Sequence, residues 1–262
     1  MPFFNESLLV AQKLGYNPIK TMKTTIIRFL SLVLFGAGVL TGIALTAGAT
    51  FADVEAVFYG FDRFGNKPTS AFYCPVMIDS SETGVILAVI ENPTDREIRP
   101  TVRFQSSTPT LFRTEVNSLS IPPGGRVTMQ WEITRRDLAY QNFIFAKMMT
   151  YASYPAPDVE QTCGVLVLDL PGLTGKQAVG LTVLISLVGM AAGCGLWLLS
   201  TPTVSHAQEA WPAMLTLTVV VLASMGTVWL AIWPAGVLLL AFSLILIGVI
   251  VGHFVQSSPH RA

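Results

Sequence analysis

The chain has 262 residues, of which 52% are hydrophobic and only 12% charged. Soluble globular proteins carry about 25% charged residues, so a wholly soluble domain is disfavoured. The 16 basic and 16 acidic residues cancel, which removes any bulk electrostatic case for nucleic acid or an anionic ligand.

That zero is a sum over very different regions. Residues 1–28 hold Lys13, Lys20, Lys23 and Arg28 against Glu6, a local charge of +3. Residues 53–170 hold ten basic and fourteen acidic side chains, and everything beyond 170 holds only Lys176, Arg261 and Glu209. Charge is segregated along the chain, and the segregation follows hydrophobicity.

At the N-terminus, Asn5 is placed to cap a short helix Glu6–Leu14 ending at Gly15. Four stretches then reach the roughly 17–25 apolar residues that cross a bilayer as a helix. They are Phe29–Ala47, Ala178–Leu199, Ala213–Ile232 and Gly236–Val255. From Ala210 to His260 there is no Asp, Glu, Lys or Arg, a run that suits hydrocarbon. Trp197, Trp211, Trp229 and Trp233 stand at segment ends as aromatic anchors do. Trp233-Pro234-Ala235-Gly236 reads as a tight turn between the last two segments. Gly189 and Gly193 have the small-xxx-small spacing that lets helices approach closely.

Basic residues ahead of the first segment place residues 1–28 in the cytoplasm and residues 53–170 on the extracytoplasmic side. Three helices over 176–255 and a cytoplasmic tail 256–262 follow, as a multi-pass protein of the cell membrane. Residues 29–50 carry a second reading. Counted from a start at Met22, the basic residues, the apolar stretch and Ala47-x-Ala49 together describe a secretory signal peptide. Signal anchor or cleaved signal, the domain lies outside, and only the number of crossings changes from four to three.

Residues 53–170 read as strands. Val127, Met129, Trp131 and Ile133 alternate with Thr128, Gln130 and Glu132, the period of a half-buried strand. Ile121-Pro122-Pro123-Gly124-Gly125 ahead of it is a turn. Val85–Ile90 is a continuous apolar run suited to a central strand, ended by Asn92-Pro93-Thr94-Asp95. Further strands are expected at Tyr73–Ile78, Pro100–Gln105, Leu111–Ser120, Phe143–Thr150 and Cys163–Leu168. About seven short strands separated by turns predict a β-sandwich. A strand ending in Glu-Asn-Pro, a polar hairpin, then a Pro-Gly turn before an alternating strand resembles bacterial immunoglobulin-like modules over residues 74–170. The Cys…Trp…Cys spacing of a true immunoglobulin domain is missing, since Trp131 follows Cys74 by 57 positions. Cys74 and Cys163 are the domain's two cysteines and are expected to pair in an oxidising compartment. Cys194, mid-membrane, reads as a small packing residue.

Chemistry is scarce. His206, His253 and His260 are the only histidines, and none lies in the sandwich, which leaves no Ser-His-Asp or Cys-His arrangement there. No CxxC, HExxH, P-loop or dinucleotide glycine motif occurs. Asp62, Asn66, Asp79 and Asp95 lack EF-hand spacing and read as solvated loop residues rather than a metal site. His253 reads as an interfacial polar residue. Its competing role is an axial ligand for haem or a pigment, and no cofactor is expected. The apolar helices offer only Thr and Ser, which usually bond their own backbone, so ion-coupled transport is disfavoured. Tyr59, Phe61, Phe64, Phe72 and Tyr73 crowd one loop and Tyr151, Tyr154, Pro155 and Pro157 another. Such loops suit protein recognition, or else they finish the core and rest on the membrane.

The expectation is therefore a non-enzymatic membrane protein, an accessory, scaffold or assembly subunit whose outward sandwich contacts other proteins of a membrane complex. Its other partner is the lipid bilayer, and no nucleic acid or small-molecule substrate is indicated. The alternatives are a small transport or channel component of oligomerised helices, or a pigment- or haem-associated subunit.

Overall fold

A computed structural model describes residues 18–61, 70–140, 142–151, 158–200, 205–230 and 232–256. The expected helix Glu6–Leu14, with Phe64 and Tyr154, lies outside them. Two compact units emerge, one made of Met1–Gly42, Val183–Leu222 and Ser243–Ala262, the other of Ile43–Thr182 and Ala223–Phe242.

Helix α1 spans Pro18–Ala56 and ends in a π-turn, Val57–Phe61. Helices α2 (Gly175–Ser200), α3 (Ser205–Trp229) and α4 (Trp233–Gln256) close the chain. All four contain stretches long and apolar enough to cross a membrane. Pro212 lies inside α3, near its start, where a missing N–H costs least.

Among the described residues, eight strands lie between α1 and α2. They are β1 (Ser70–Tyr73), β2 (Met77–Asp79), β3 (Gly84–Glu91), β4 (Thr101–Ser107), β5 (Phe112–Ser118), β6 (Arg126–Ile133), β7 (Phe143–Tyr151) and β8 (Val159–Leu168). They form a three-stranded sheet, β1-β3-β6, and a five-stranded sheet, β2-β8-β7-β4-β5. Pairing is antiparallel throughout except β2 with β8.

One apolar core joins the sheets face to face. Ile86, Ala88 and Ile90 of β3 and Trp131 and Ile133 of β6 meet Val102, Phe104, Ile144, Ala146, Met148, Val165 and Val167 of the larger sheet. The Phe104 and Trp131 rings stack with centroids 4.5 Å apart. The alternation in β6 buries Trp131 and Ile133 as its period predicts. The run Val85–Ile90 is the middle strand of its sheet but buries one face only, with Val85 44% exposed.

Two expectations are corrected. The single strand Tyr73–Ile78 is two strands in different sheets, because Pro75 has no N–H to continue a ladder and the chain changes sheets there. Residues 53–61 are not strand but the end of α1 and its π-turn. A helix satisfies its own backbone, and small Ala52 and Ala56, both fully buried, let it lie against the sheet.

Candidate functional site

The most heavily built feature of the second unit is the joint between α1 and the five-stranded sheet. Gly164 of β8 lies directly under the backbone of α1, so a Cβ there would fall inside the Ala52 carbonyl. The Gly164 N–H sits where β2 is too short to accept it. It donates instead to Asp53 Oδ1 at 2.9 Å. One turn on, Ala56 packs with Ala139 and Phe145. Tyr59 then sets its ring 5.0 Å from Phe145 and edge-on to Phe112 and Tyr140 at 5.6 and 5.7 Å. Phe51 meets Phe143 at 5.6 Å. Tyr140 holds φ +55° to reach this group, a conformation non-glycine residues adopt rarely.

A second latch ties the sheet to the start of α2. Glu82 Oε2 accepts from the N–H groups of Gly175 (2.7 Å) and Asp79 (3.1 Å). Asp79 accepts from the Ser81 hydroxyl and N–H and, through Oδ1, from Leu170 N–H at 2.7 Å. These bonds, the Ser81 hydroxyl foremost, pull the Asp79 carboxyl down to about 2. Asp79 is thus a structural clasp rather than a freely solvated loop residue. Gly175 has no room for a Cβ against the Met77 carbonyl.

Cys74 and Cys163 form the expected disulfide, Cα atoms 6.5 Å apart. It pins the point where the chain crosses between sheets to β8. A buried network lies at the opposite end. Asp137, 1% exposed, accepts from Ser106 Oγ at 2.7 Å and pairs with Arg113 at 3.2 Å. It also closes a capping box with Thr134, so this carboxylate is spent on holding β4, β5 and the β6–β7 connection together. On the outer face of the large sheet, Lys147 pairs with Glu160.

In the first unit, α1 and α2 approach closely through glycine. A Cβ on Gly189 would lie 2.9 Å from Gly38 Cα, and one on Gly193 would lie 2.6 Å from Phe35 Cβ. Ser186 Oγ donates to Gly38 O at 2.8 Å and Ser31 Oγ to Gly193 O at 2.6 Å. Arg28 reaches Ser200 O at 3.4 Å. A wholly apolar cleft of about 350 Å³ lies between α1, α3 and α4, lined by Leu32, Gly36, Val39, Met214, Leu217 and Ile250.

Of the recognition candidates, Tyr59 is built into the aromatic group and is not a free surface residue. Phe61 lies in the π-turn, and Tyr151 ends β7, 44% exposed, with its hydroxyl on Met149 Sδ. Gly189 and Gly193 sit at the α1–α2 seam, and His253 lies in the last turns of α4. Sequence reasoning missed Asp53, Gly164, Glu82 and Gly38. Their roles depend on partners 93 to 151 positions away, or on a backbone crossing that no local pattern encodes.

No family model and no curated protein matches the chain. Among solved structures, red sea bream transglutaminase is 8% identical, with 39% of this chain and 17% of that one covered, at a TM-score of 0.31. A Listeria innocua β-glucosidase is 14% identical over 39% and 17%, at 0.27. A CARDB domain from Pyrococcus furiosus, solved in complex with di-metal ions, is 11% identical over 41% and 98%, at 0.31. The chain thus spans less than a fifth of the transglutaminase or the glucosidase, and no activity is carried over from any of the three.

Proposed function

We propose that the chain is a non-enzymatic integral membrane protein whose four apolar helices cross the cell membrane and hold an immunoglobulin-like sandwich on the extracytoplasmic side, as an accessory or scaffold subunit of a membrane complex. The observation that carries this is the joint of α1 with the sheet. One unbroken helix passes from an apolar span into the wall of a β-domain and is fixed there by Gly164, Asp53 and Tyr59. A β-domain packed on the continuation of an apolar helix suits a protein that presents a surface outside the bilayer.

Insertion is supported by what the helices leave uncovered. On α4, Leu238 is 72% exposed and Ile245 and Val249 63% each. At roughly 25 cal/mol per Å² of apolar surface, a helix so bare on one side is costly in water and at home in lipid. An immunoglobulin-like assignment is supported by strand order. With β1, β3 and β6 as A, B and E, and β2, β8, β7, β4 and β5 as A′, G, F, C and C′, the sheets follow that family's G-F-C neighbours. The core tryptophan lies on E rather than C, and the disulfide joins the A–A′ crossover to G.

Retention of the first apolar segment as an anchor, rather than its cleavage as a signal peptide, is the reading that its packing supports. Ala49 is 8% exposed within α1, and Ser31, Phe35 and Gly38 are packed on α2.

The test is membrane extraction followed by native mass determination. Resistance to alkaline carbonate, protection of 53–170 from protease in the cytoplasm, and co-purification with other membrane proteins are expected. Release by carbonate refutes insertion, and a lone monomer in gentle detergent refutes the subunit role.

A further inference from the structure

The first unit is positively charged and holds the largest apolar recess described above. By sequence its three segments carry Lys13, Lys20, Lys23, Arg28 and Arg261 against Glu6 and Glu209, a net charge of +3. Arg28 stands just ahead of the apolar stretch of α1. Its Nη2 donates to the carbonyl of Ser200, the last residue of α2, at 3.4 Å. Its Nε–H is buried and has no partner among the described residues. No described carboxylate forms an ion pair with it. A guanidinium has five N–H donors, so the Ser200 carbonyl leaves most of them to be satisfied, and a buried donor without an acceptor is costly.

The cleft between α1, α3 and α4 begins one turn further along. Arg28, Leu32, Phe35 and Val39 recur at i, i+4, i+7 and i+11, one stripe of α1. Phe35, Val39, Met214 and Leu217 form a buried floor, whereas Leu32 is 44%, Leu40 64% and Val251 55% exposed at the rim. The cleft is therefore a groove open along its side. Gly36 makes the room, because a Cβ there meets nothing within 4 Å. From Leu32 to Leu40 the groove follows α1 for about 12 Å.

We propose that this groove holds an acyl chain of one anionic phospholipid, whose phosphate is bound by Arg28. The site rests on the membrane reading above and adds a selective ligand to it. A lipid sets a charged head at the edge of the hydrocarbon and its chains along the span, and Arg28 and the groove follow one another in that order. Lipid tails are as apolar as the leucines of the wall, so any acyl chain fills the groove and the tail alone gives no selectivity.

Selectivity comes from the head. Phosphate oxygens match the fork of the guanidinium, and the free Nε–H supplies one arm of it. Basic recesses between membrane helices bind anionic heads in this way. A zwitterionic head offers the same phosphate but brings a cationic group toward Arg28 and the net positive charge of the unit, whereas a net anionic head meets no such repulsion. The open space at Gly36 is not used for helix packing, since α1 meets α2 through Gly38 instead.

The test uses the full chain, purified in detergent, freed of lipid and titrated with phosphatidylglycerol or phosphatidylcholine of identical acyl chains. Native mass spectrometry counts the lipid bound. One equivalent of phosphatidylglycerol is expected to bind about tenfold more tightly than phosphatidylcholine, the factor of one charge-assisted hydrogen bond. Arg28→Gln is expected to bind the two lipids equally. Gly36→Leu fills the groove and is expected to lose the tightly bound equivalent while melting as the unaltered chain does. Equal binding of the two lipids by the unaltered chain overturns the site, as does an undiminished preference in Arg28→Gln or in folded Gly36→Leu. If Gly36→Leu does not fold, Arg28→Gln decides by itself, since it places no new bulk in the groove. A second polypeptide that co-purifies and is lost on Gly36→Leu, in place of lipid, also overturns it. A chain that stays dissolved without detergent overturns the membrane reading, whereas one that needs detergent and shows no head preference overturns the lipid site alone.

Discussion

Gly164→Ala tests whether the sheet and α1 form one rigid joint. The added Cβ would fall inside the Ala52 carbonyl and within 2.8 Å of Asp53 N. Both are helix backbone, which cannot move aside as a side-chain end would. Overpacking costs about 1–3 kcal/mol. If α1 lifts, the Gly164 N–H loses Asp53 and a buried donor is left unpaired, at about 1–3 kcal/mol more. A total of about 2–6 kcal/mol predicts a melting temperature lower by about 4–24 °C for a unit of this size. Gly180→Ala is the control, because a Cβ at Gly180 meets nothing within 4 Å and alanine favours a helix by about 1 kcal/mol. Thermal unfolding of both variants in detergent, followed by size-exclusion of the surviving fraction, gives the comparison. Equal melting of Gly164→Ala and Gly180→Ala would refute the joint.

Removing the disulfide with Cys74→Ser and Cys163→Ser opens a closure of sequence separation 89, worth at most about 4–5 kcal/mol by chain entropy. A lower melting temperature and loss of the mobility difference between reduced and non-reduced gels are expected, and unchanged melting argues against a stabilising bridge. The Asp79 carboxyl is held at about 2 against 3.8 unfolded, so its contribution is present above pH about 4 and is lost as pH falls from about 4 to 2. Carboxyl NMR is expected to titrate Asp79 near pH 2, with Leu170 amide protection falling in step; a midpoint near 4 refutes the clasp. Gly38→Leu is expected to part α1 from α2, because its Cβ would lie 2.6 Å from Met190 N. Gly36→Leu, open at that position, is expected to be tolerated, and equal loss of folded protein in both would refute the seam. Mass spectrometry of the purified chain is expected to recover peptides containing Ser31 and Gly38, and a chain that starts at Thr50 would refute retention.

How much was legible depended on whether the cause was local. Apolar runs of span length need no partner to be recognised, and the structure places a helix on each. β6 was legible because its alternation marks the buried face directly. The strand Tyr73–Ile78 was misread because its apolar run continues through Pro75, whereas pairing is decided by which neighbours accept each half. The aromatics at Tyr59 were ambiguous in sequence because exposed recognition and core completion use the same side chains. Contact with Phe112, Tyr140 and Phe145 decides for the second.

The sequence by itself determined the segregation of charge, four apolar helices and a strand-rich domain between the first two, because period, length and burial preference are properties of short windows. It also limited the disulfide to one pairing within that domain. Tertiary structure alone decided that α1 continues past its apolar span to become part of the wall of the β-domain. It alone gave Gly164, Gly175 and Gly38 their purpose, since a glycine's value is the backbone that passes over it.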